Sequence, residues 1–462
     1  MATTSVKQKR QRVWILAVIL VCGAMTSLTS CISDNIDTPV VYSPINQVLA
    51  ETGLFSDIRE NPDTMAMEDK AAGLVDYQSQ YSMFITQPVN HDQPGGDTFK
   101  QKVCILFRGY DRPTIMVTEG YFFDGFYDVE DIGINLNANM VHVEHRNFGE
   151  SYTNDVGQWK YETAAQVSAD LHAVYQALKG VFKGKWMSAG TSKSGETSMD
   201  YAYYYPNDMD LATSFCSPFM VSLADKRFGE YVFNEVSTES VREIMKKSIR
   251  WALTDGEEGA YKLACDKFKK AGIPVPSFTE YVYNSFDAFF SMFQSTPSAK
   301  HQEEIDNMTN DENSLVVAIC YNILCNRYPE IYYTTFVDDA KEQGFFDPGY
   351  DYYADLLDGT SFKVEDVFPI FLKEEDHRLL KEYDNSLRID QMENFFANTT
   401  MPLLFFYSHD DTWTAARPNK LGPNAKMIIN PIGHHSPQIN NPETCPPEIR
   451  QEVMDFITTY IY

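Results

Sequence analysis

The sequence predicts an α/β protein whose parallel sheet is covered by helices on both faces. Three observations predict it. Short apolar runs without polar alternation recur between residues 102 and 216, as expected of strands buried on both faces. Segments with helical spacing of apolar residues separate them. The same alternation returns after residue 400, following a long stretch in which strand signals fade.

The elements follow in order. Residues 102–107 and 114–118 are strands, and Gly109-Tyr-Asp-Arg-Pro113 between them predicts a hairpin turn. Residues 140–144 form another strand. Ala164, Val167, Leu171, Val174 and Leu178 share one helical face. A strand at 185–189 leads into a turn at Ser192, a helix through Tyr205 and a strand at 211–216. From 222 to 399 helical patterns dominate. Ser240 and Glu243 predict a capping box, and Val241, Ile244, Met245, Ile249, Ala252 and Leu253 form the stripe behind it. This segment is rich in Tyr and Phe and reads as a helical cap inserted into the sheet domain. Strands at 402–407 and 426–429 and a helix from about Pro447 complete the chain.

The N-terminus reads as a targeting segment. Lys7, Lys9, Arg10 and Arg12 precede an apolar run at 13–26 that is too short to span a bilayer comfortably. Leu28-Thr-Ser-Cys31 then resembles a bacterial lipobox, which implies cleavage before Cys31 and acylation of its thiol. No Asp directly follows Cys31, so nothing argues for inner-membrane retention, and Asp34 and Asp37 weakly suggest surface export. The expectation is an extracytoplasmic bacterial lipoprotein of the outer membrane, with acylated Cys31 in the bilayer. The predicted organisation is a lipoprotein signal peptide (1–30), a tether (31–56), a sheet core (57–221), a helical cap (222–399) and the remainder of the core (400–462).

The chain carries 38 Lys and Arg against 65 Asp and Glu, a formal net charge of −27. That balance disfavours nucleic acid and anionic lipid surfaces as partners. It favours solubility and is compatible with cationic ligands such as a peptide's free amino terminus. Apart from Cys22 and Cys31, the cysteines are Cys104, Cys216, Cys265, Cys320, Cys325 and Cys445. Their spacing forms neither a disulfide framework nor a zinc site, and several lie in apolar runs as small core residues. No metal-ligand motif, phosphate-cradling loop or cofactor signature is present.

The chemistry is carried by Gly190-Thr-Ser192-Lys-Ser-Gly195. A strand–turn–helix with a serine at its apex is the pattern of a nucleophile elbow, and Gly190 and Gly195 suit its crowded backbone. Two later segments complete a Ser, Asp, His order. His409-Asp410-Asp411-Thr-Trp413 follows the 402–407 strand, and Gly433-His434-His435-Ser436 follows the 426–429 strand. Such a set can attack a carbonyl through the serine, shuttle its proton on a histidine and fix that imidazole with a carboxylate. The pattern alone leaves open which Asp and which His take part. An oxyanion hole needs two backbone N–H groups, and those of Lys193 and Tyr121 are the candidates.

At these residues the chain resembles the prolyl tri/tetrapeptidyl aminopeptidases, secreted bacterial serine peptidases. The resemblance is carried by Arg112-Pro-Thr-Ile-Met-Val-Thr-Glu-Gly-Tyr121, Glu144-His-Arg-Asn-Phe-Gly-Glu-Ser151, Gly190-Thr-Ser-Lys193, Asp411-Thr-Trp413 and His435-Ser436. It implies an α/β-hydrolase with a helical cap, Ser192, Asp411 and His435 as the triad, and release of short peptides from free N-termini with preference for cleavage after proline. The chain departs from the family pattern at Ser194 (Gly in the family), at Thr412 (Pro), at Asn147 (an aromatic) and at Glu196 (a hydrophobic residue). Asp410 is an extra carboxylate. Glu119 and Glu196 are candidates to bind a substrate's amino group, although such residues more often make internal hydrogen bonds. His145 and Arg146 read first as a structural network. Two other readings fit the same residues: an esterase of small acyl substrates, and a surface lipoprotein that binds peptide or glycan without catalysis.

Overall fold

The computed structural model describes residues 44–60, 77, 79–121, 129–151, 161, 163–219, 226–253, 259–278, 280–281, 284–285, 316–317, 319–320, 323, 385–435 and 438–462. The expected signal segment, Cys31, the first part of the tether and much of the expected cap lie outside them.

Nine strands form one sheet. In chain order they are β1 (Phe55–Glu60), β2 (Ser79–Pro88), β3 (Thr98–Phe107), β4 (Thr114–Thr118), β5 (Asn139–Val143), β6 (Trp186–Thr191), β7 (Leu211–Phe215), β8 (Leu403–Ser408) and β9 (Ala425–Asn430). Across the sheet the order is β1-β2-β3-β5-β4-β6-β7-β8-β9. The pairs from β1 to β5 are antiparallel, and every pair from β5 to β9 is parallel. A mostly parallel sheet with three antiparallel pairs at one edge, β5 and β4 exchanged in order, and a serine elbow after β6 is an α/β-hydrolase core.

The expected hairpin between 107 and 114 does not form. β5 lies between β3 and β4 and pairs with both. Asn139, the first residue of β5, holds the connection across its end. Its Oδ1 accepts from the backbone N–H of Arg108 (2.8 Å) and Gly109 (3.1 Å), and its Nδ2 donates to the Gly109 carbonyl (2.9 Å). The turn signal was real, but it joins strands that are not neighbours.

Alternation along the strands divides the core between two faces. On one face Ile115 and Val117 of β4 pack with Met187, Leu211 and Phe406 beneath α2 (Glu130–Leu136) and a C-terminal helix (Pro447–Ile461). On the other, Met116, Ala212 and Phe405 pack beneath a helix at Ala164–Leu178 and one at Lys193–Tyr204. These two are α3 and α4, and α1 (Pro44–Glu51) joins the same face. Ile45 and Leu49 of α1 are fully buried there, so the tether ends earlier than the expected residue 56. Its apolar positions four apart lie on one helical face, which a reading of prolines and polarity overlooked.

Between β7 and β8 the described elements are all helices: α5 (Lys226–Asn234), α6 (Glu239–Leu253), α7 (Ala260–Ala271) and α8 (Asn385–Asn398). The cap of α6 is Thr238, whose hydroxyl accepts from Val241 N–H (3.3 Å); the expected Ser240–Glu243 box is not used, and Glu243 instead pairs with Lys246 (2.8 Å). Met392 and Phe396 of α8 pack into the sheet's core beside Phe405, so the layer over the sheet resumes before residue 400.

Candidate active site

The C-terminal ends of five neighbouring parallel strands supply the candidate site. β4 runs into Glu119 and Gly120, β6 into Ser192, β7 into Cys216, the loop after β8 carries Asp411, and the loop after β9 carries His435. Ligand sites of open α/β sheets lie at this edge, because the loops there converge while the sheet fixes their roots.

Ser192 joins β6 to α4 with φ 59° and ψ −130°, a conformation costly for a residue with a Cβ. The fold holds it from both sides. Its N–H donates to the Phe215 carbonyl at the end of β7 (2.8 Å), and its carbonyl accepts from Gly195 N–H (3.0 Å) and Glu196 N–H (3.1 Å), which starts α4. The turn is tight enough that a Cβ on Gly190 would lie 2.4 Å from the Ser194 carbonyl carbon. Only glycine fits there.

Gly120 brings the second candidate oxyanion segment against the first. A Cβ on it would lie 2.8 Å from Ser194 N and 2.7 Å from Lys193 Cβ, so the 119–121 loop rests directly on the first turn of α4. Tyr121 is held in turn by His145, whose N–H donates to its carbonyl (3.2 Å). The backbones of Lys193 and Tyr121 thus belong to two adjoining, fixed segments.

The structure pairs Asp411 with His435. His435 Nδ1 lies 3.1 Å from Asp411 Oδ2, and Asp411 is wholly buried while the His435 side chain is 13% exposed. Asp411 Oδ1 accepts from Trp413 N–H (3.2 Å), capping a 3₁₀ turn at Thr412–Ala416. This bond aims the other oxygen at the imidazole. Asp410 makes a separate pair with His409 (3.2 Å), and its N–H donates to the Gly433 carbonyl (3.1 Å), which ties the acid loop to the histidine loop. α5 packs on the 3₁₀ turn, and the buried Tyr231 hydroxyl donates to the His409 carbonyl (2.7 Å). Burial, and then the nearby Asp411 charge, push that phenol well above its ordinary pKa, so it stays a donor.

The Glu144 to Ser151 motif adjoins the Gly120 loop, where Phe148 also packs edge-on against Tyr121. Glu144 Oε2 accepts from Glu150 N–H (3.0 Å) and Ser151 Oγ (2.7 Å). Arg146 is buried and forms a two-pronged pair with Asp170 of α3 (2.7 and 2.8 Å), while its remaining nitrogen donates to the Val89 and Tyr161 carbonyls. Asn147 has φ 65°, a left-handed conformation that Asn tolerates better than an aromatic residue does.

Glu119 is buried, with Oε1 3.0 Å from His142 Nδ1. Burial pushes the His142 imidazole down to about 3, so this contact is a neutral N–H donating to the carboxylate and not an ion pair. Glu196, in the first turn of α4, is 1% exposed. Both carboxylates flank the elbow, one before Gly120 and one after Ser192.

Sequence reasoning did not single out three residues, two at this edge and one in the middle of α3. Cys216, read as a core residue, has φ 50° and a thiol that approaches Ser408 Oγ (3.7 Å) and the His434 carbonyl (3.8 Å). Its position directly after β7 was the available signal. Thr118 bonds to Ser194, and Asp170 anchors Arg146.

Residues 62–266 match the PS-10 peptidase S37 family. This stretch, less than half of the chain, is similar to S37 peptidases. The prolyl tri/tetrapeptidyl aminopeptidase of Streptomyces mobaraensis is 30% identical over 184 residues, 39% of this chain. The match spans 38% of that relative's length. Among solved structures, the proline iminopeptidase of Mycobacterium smegmatis is 13% identical with a TM-score of 0.39, covering 82% of this chain and 98% of that one. An α/β fold family hydrolase from Bacillus anthracis is 15% identical with a TM-score of 0.37, covering 81% and 99%. The fold assignment rests on the strand order given above.

Proposed function

We propose that this protein is a serine exopeptidase that releases tri- or tetrapeptides from free N-termini, favouring cleavage after proline. The observation that carries the reading is Ser192 on its strained strand-to-helix turn, at the same sheet edge as the Asp411–His435 pair. The S37 match over 62–266 supports a peptidase over an esterase.

In this reading each group has a step. Ser192 Oγ attacks the scissile carbonyl as His435 takes its proton. Asp411 holds the Nδ1–H tautomer, so that Nε2 is the basic nitrogen, and it stabilises the imidazolium that forms. The Lys193 and Tyr121 N–H groups receive the oxyanion. His435 then protonates the leaving amine. Water, activated by the same imidazole, hydrolyses the acyl-enzyme.

Labelling with a fluorophosphonate, followed by comparison of a free-amine Xaa-Xaa-Pro chromogenic peptide with a simple ester, tests the reading. Loss of the label in Ser192→Ala and turnover of the peptide support it. Turnover of the ester alone would replace it with the esterase reading. The motif at residues 28–31 further supports a lipid anchor on Cys31 and placement at the outer membrane. Mass spectrometry of the mature N-terminus checks this, and an unacylated terminus at another residue refutes it.

A further inference from the structure

Cys216 stands apart from every step just assigned, yet it shares the innermost part of the site. One ligand atom each from Cys216, Asp411 and His435 lies within 4.8 Å of the other two. Among the described residues this is the one such grouping of three. Cys216 and Asp411 are wholly buried, while the His435 side chain retains some access from the cleft. The free thiols of Cys104, Cys265, Cys320 and Cys445 are also buried, but no comparable group surrounds them among the described residues.

We infer that Cys216, Asp411 and His435 form an inhibitory binding site for a borderline-soft divalent ion such as Zn²⁺. The donor set is one thiolate, one imidazole and one carboxylate, all of which Zn²⁺ accepts, and three protein ligands leave a fourth position for water. A tetrahedral ion with Zn–S of about 2.3 Å and Zn–N and Zn–O of about 2.0–2.2 Å needs its ligand atoms roughly 3.3–3.7 Å apart. The imidazole and carboxylate already stand 3.1 Å apart. The thiol lies within 4.8 Å of both, so it must close by at most about 1.5 Å. Hard ions such as Mg²⁺ lack affinity for this set.

The inhibition follows from the tautomer. In the resting site Nδ1 carries the proton and donates it to Asp411. An ion bound to Nδ1 takes that lone pair, so the single imidazole proton moves to Nε2. The Cys216 thiol releases its proton to solvent, and no electrons are exchanged. Nε2–H cannot accept the Ser192 proton, so the base is blocked without any contact between the ion and substrate. Binding does not depend on the protein being a peptidase; only the inhibition rests on the proposed function.

The test is therefore read in two independent ways on the purified full-length protein. Co²⁺ is titrated as the spectroscopic stand-in for Zn²⁺, following the thiolate-to-cobalt charge-transfer absorption. One equivalent should develop the band in wild type, Zn²⁺ should abolish it, and Mg²⁺ should not. Cys216→Ala should lose the band, and Cys216→Ser should weaken metal binding by at least about tenfold. His435→Ala, which keeps the thiol, should weaken it likewise. Zn²⁺ should depress peptide turnover at least about tenfold in wild type and leave the turnover of Cys216→Ala unchanged. No band in wild type, a band that persists in Cys216→Ala, or equal Zn²⁺ inhibition of both proteins overturns the inference. A band that depends on Cys216 in a protein with no peptidase activity would uphold the metal site and overturn the proposed function instead.

Discussion

Ser194 and Thr118 exchange hydrogen bonds across the junction of β4 and α4. The Ser194 hydroxyl donates to the Thr118 carbonyl, and the Thr118 hydroxyl donates to the Ser194 carbonyl (2.7 Å) while also approaching the Ala189 carbonyl (3.3 Å). The family pattern has glycine at 194, which cannot make the first of these bonds. Here the side chain clamps the first turn of the nucleophile helix to the strand that enters the Gly120 loop.

The clamp should be measurable as a coupling energy. Ser194→Ala and Thr118→Val should each cost about 1–2 kcal/mol by chemical denaturation, since each leaves buried carbonyl groups with fewer donors. The double variant should lose about 0.5 kcal/mol or more less than the sum. Strict additivity would show that the two residues act independently.

The triad should respond in a graded order. Ser192→Ala should abolish turnover with the melting transition intact. Asp411→Asn should lower kcat on the order of 10³–10⁴-fold, because an amide in place of Oδ2 no longer selects the Nδ1–H tautomer. Asp410→Asn should matter far less, since that carboxylate faces His409. His435→Ala should be inactive, whereas His434→Ala should retain most activity; the reverse result would reassign the base. Turnover should fall as acid protonates the histidine base.

A second histidine should shape stability instead of rate. The unfolded His142 imidazole titrates near about 6.5, and burial pushes the folded one down to about 3. Above the higher value both states are neutral and the group has no effect on stability. Between the two values only the unfolded chain takes up the proton, so stability falls as pH drops, by about 1.4 kcal/mol per pH unit from this group. His142→Gln should show a shallower loss of unfolding free energy between pH 6 and 4. An unchanged slope would mean that other groups carry the acid sensitivity.

The contrast between these residues explains what could be read from the sequence. The positions of Ser192, Asp411 and His435 at strand ends were legible because each follows an apolar run, buried in β6 and β8 and only half-buried in the edge strand β9, and strand ends announce themselves by a change of composition. The partner choice between Asp410 and Asp411 was not open to pattern, because it depends on the 3₁₀ turn that Asp411 caps through Trp413 N–H. Asp170 was illegible for another reason. It sits in the middle of α3, where a carboxylate ordinarily faces water, and it is buried only because Arg146 and His91 reach it from distant loops. The failed hairpin has the same origin. A turn signal reports that the chain reverses locally, and it carries no information that β5 will enter between the two strands from about 20 residues downstream.

The end specificity of the proposed peptidase gives the last prediction. An exopeptidase that measures from a free amino terminus must place a carboxylate where the substrate ammonium ends. Among the described residues, Glu119 and Glu196 are acidic groups beside the elbow, and both are buried. A charge-assisted hydrogen bond to an ammonium contributes about 1.5–3 kcal/mol. N-acetylation of an Xaa-Xaa-Pro substrate should therefore lower kcat/KM by on the order of tenfold to a hundredfold. The carboxylate responsible is identified by substitution. Glu196→Gln should reduce turnover of the free-amine peptide towards that of the blocked one if Glu196 binds the amine. Glu119→Gln should do so if the substrate ammonium draws Glu119 away from His142. A variant that slows both substrates equally has lost structure and not amine recognition. If wild type cleaves blocked and free peptides alike, neither residue measures the terminus and the site accepts internal bonds.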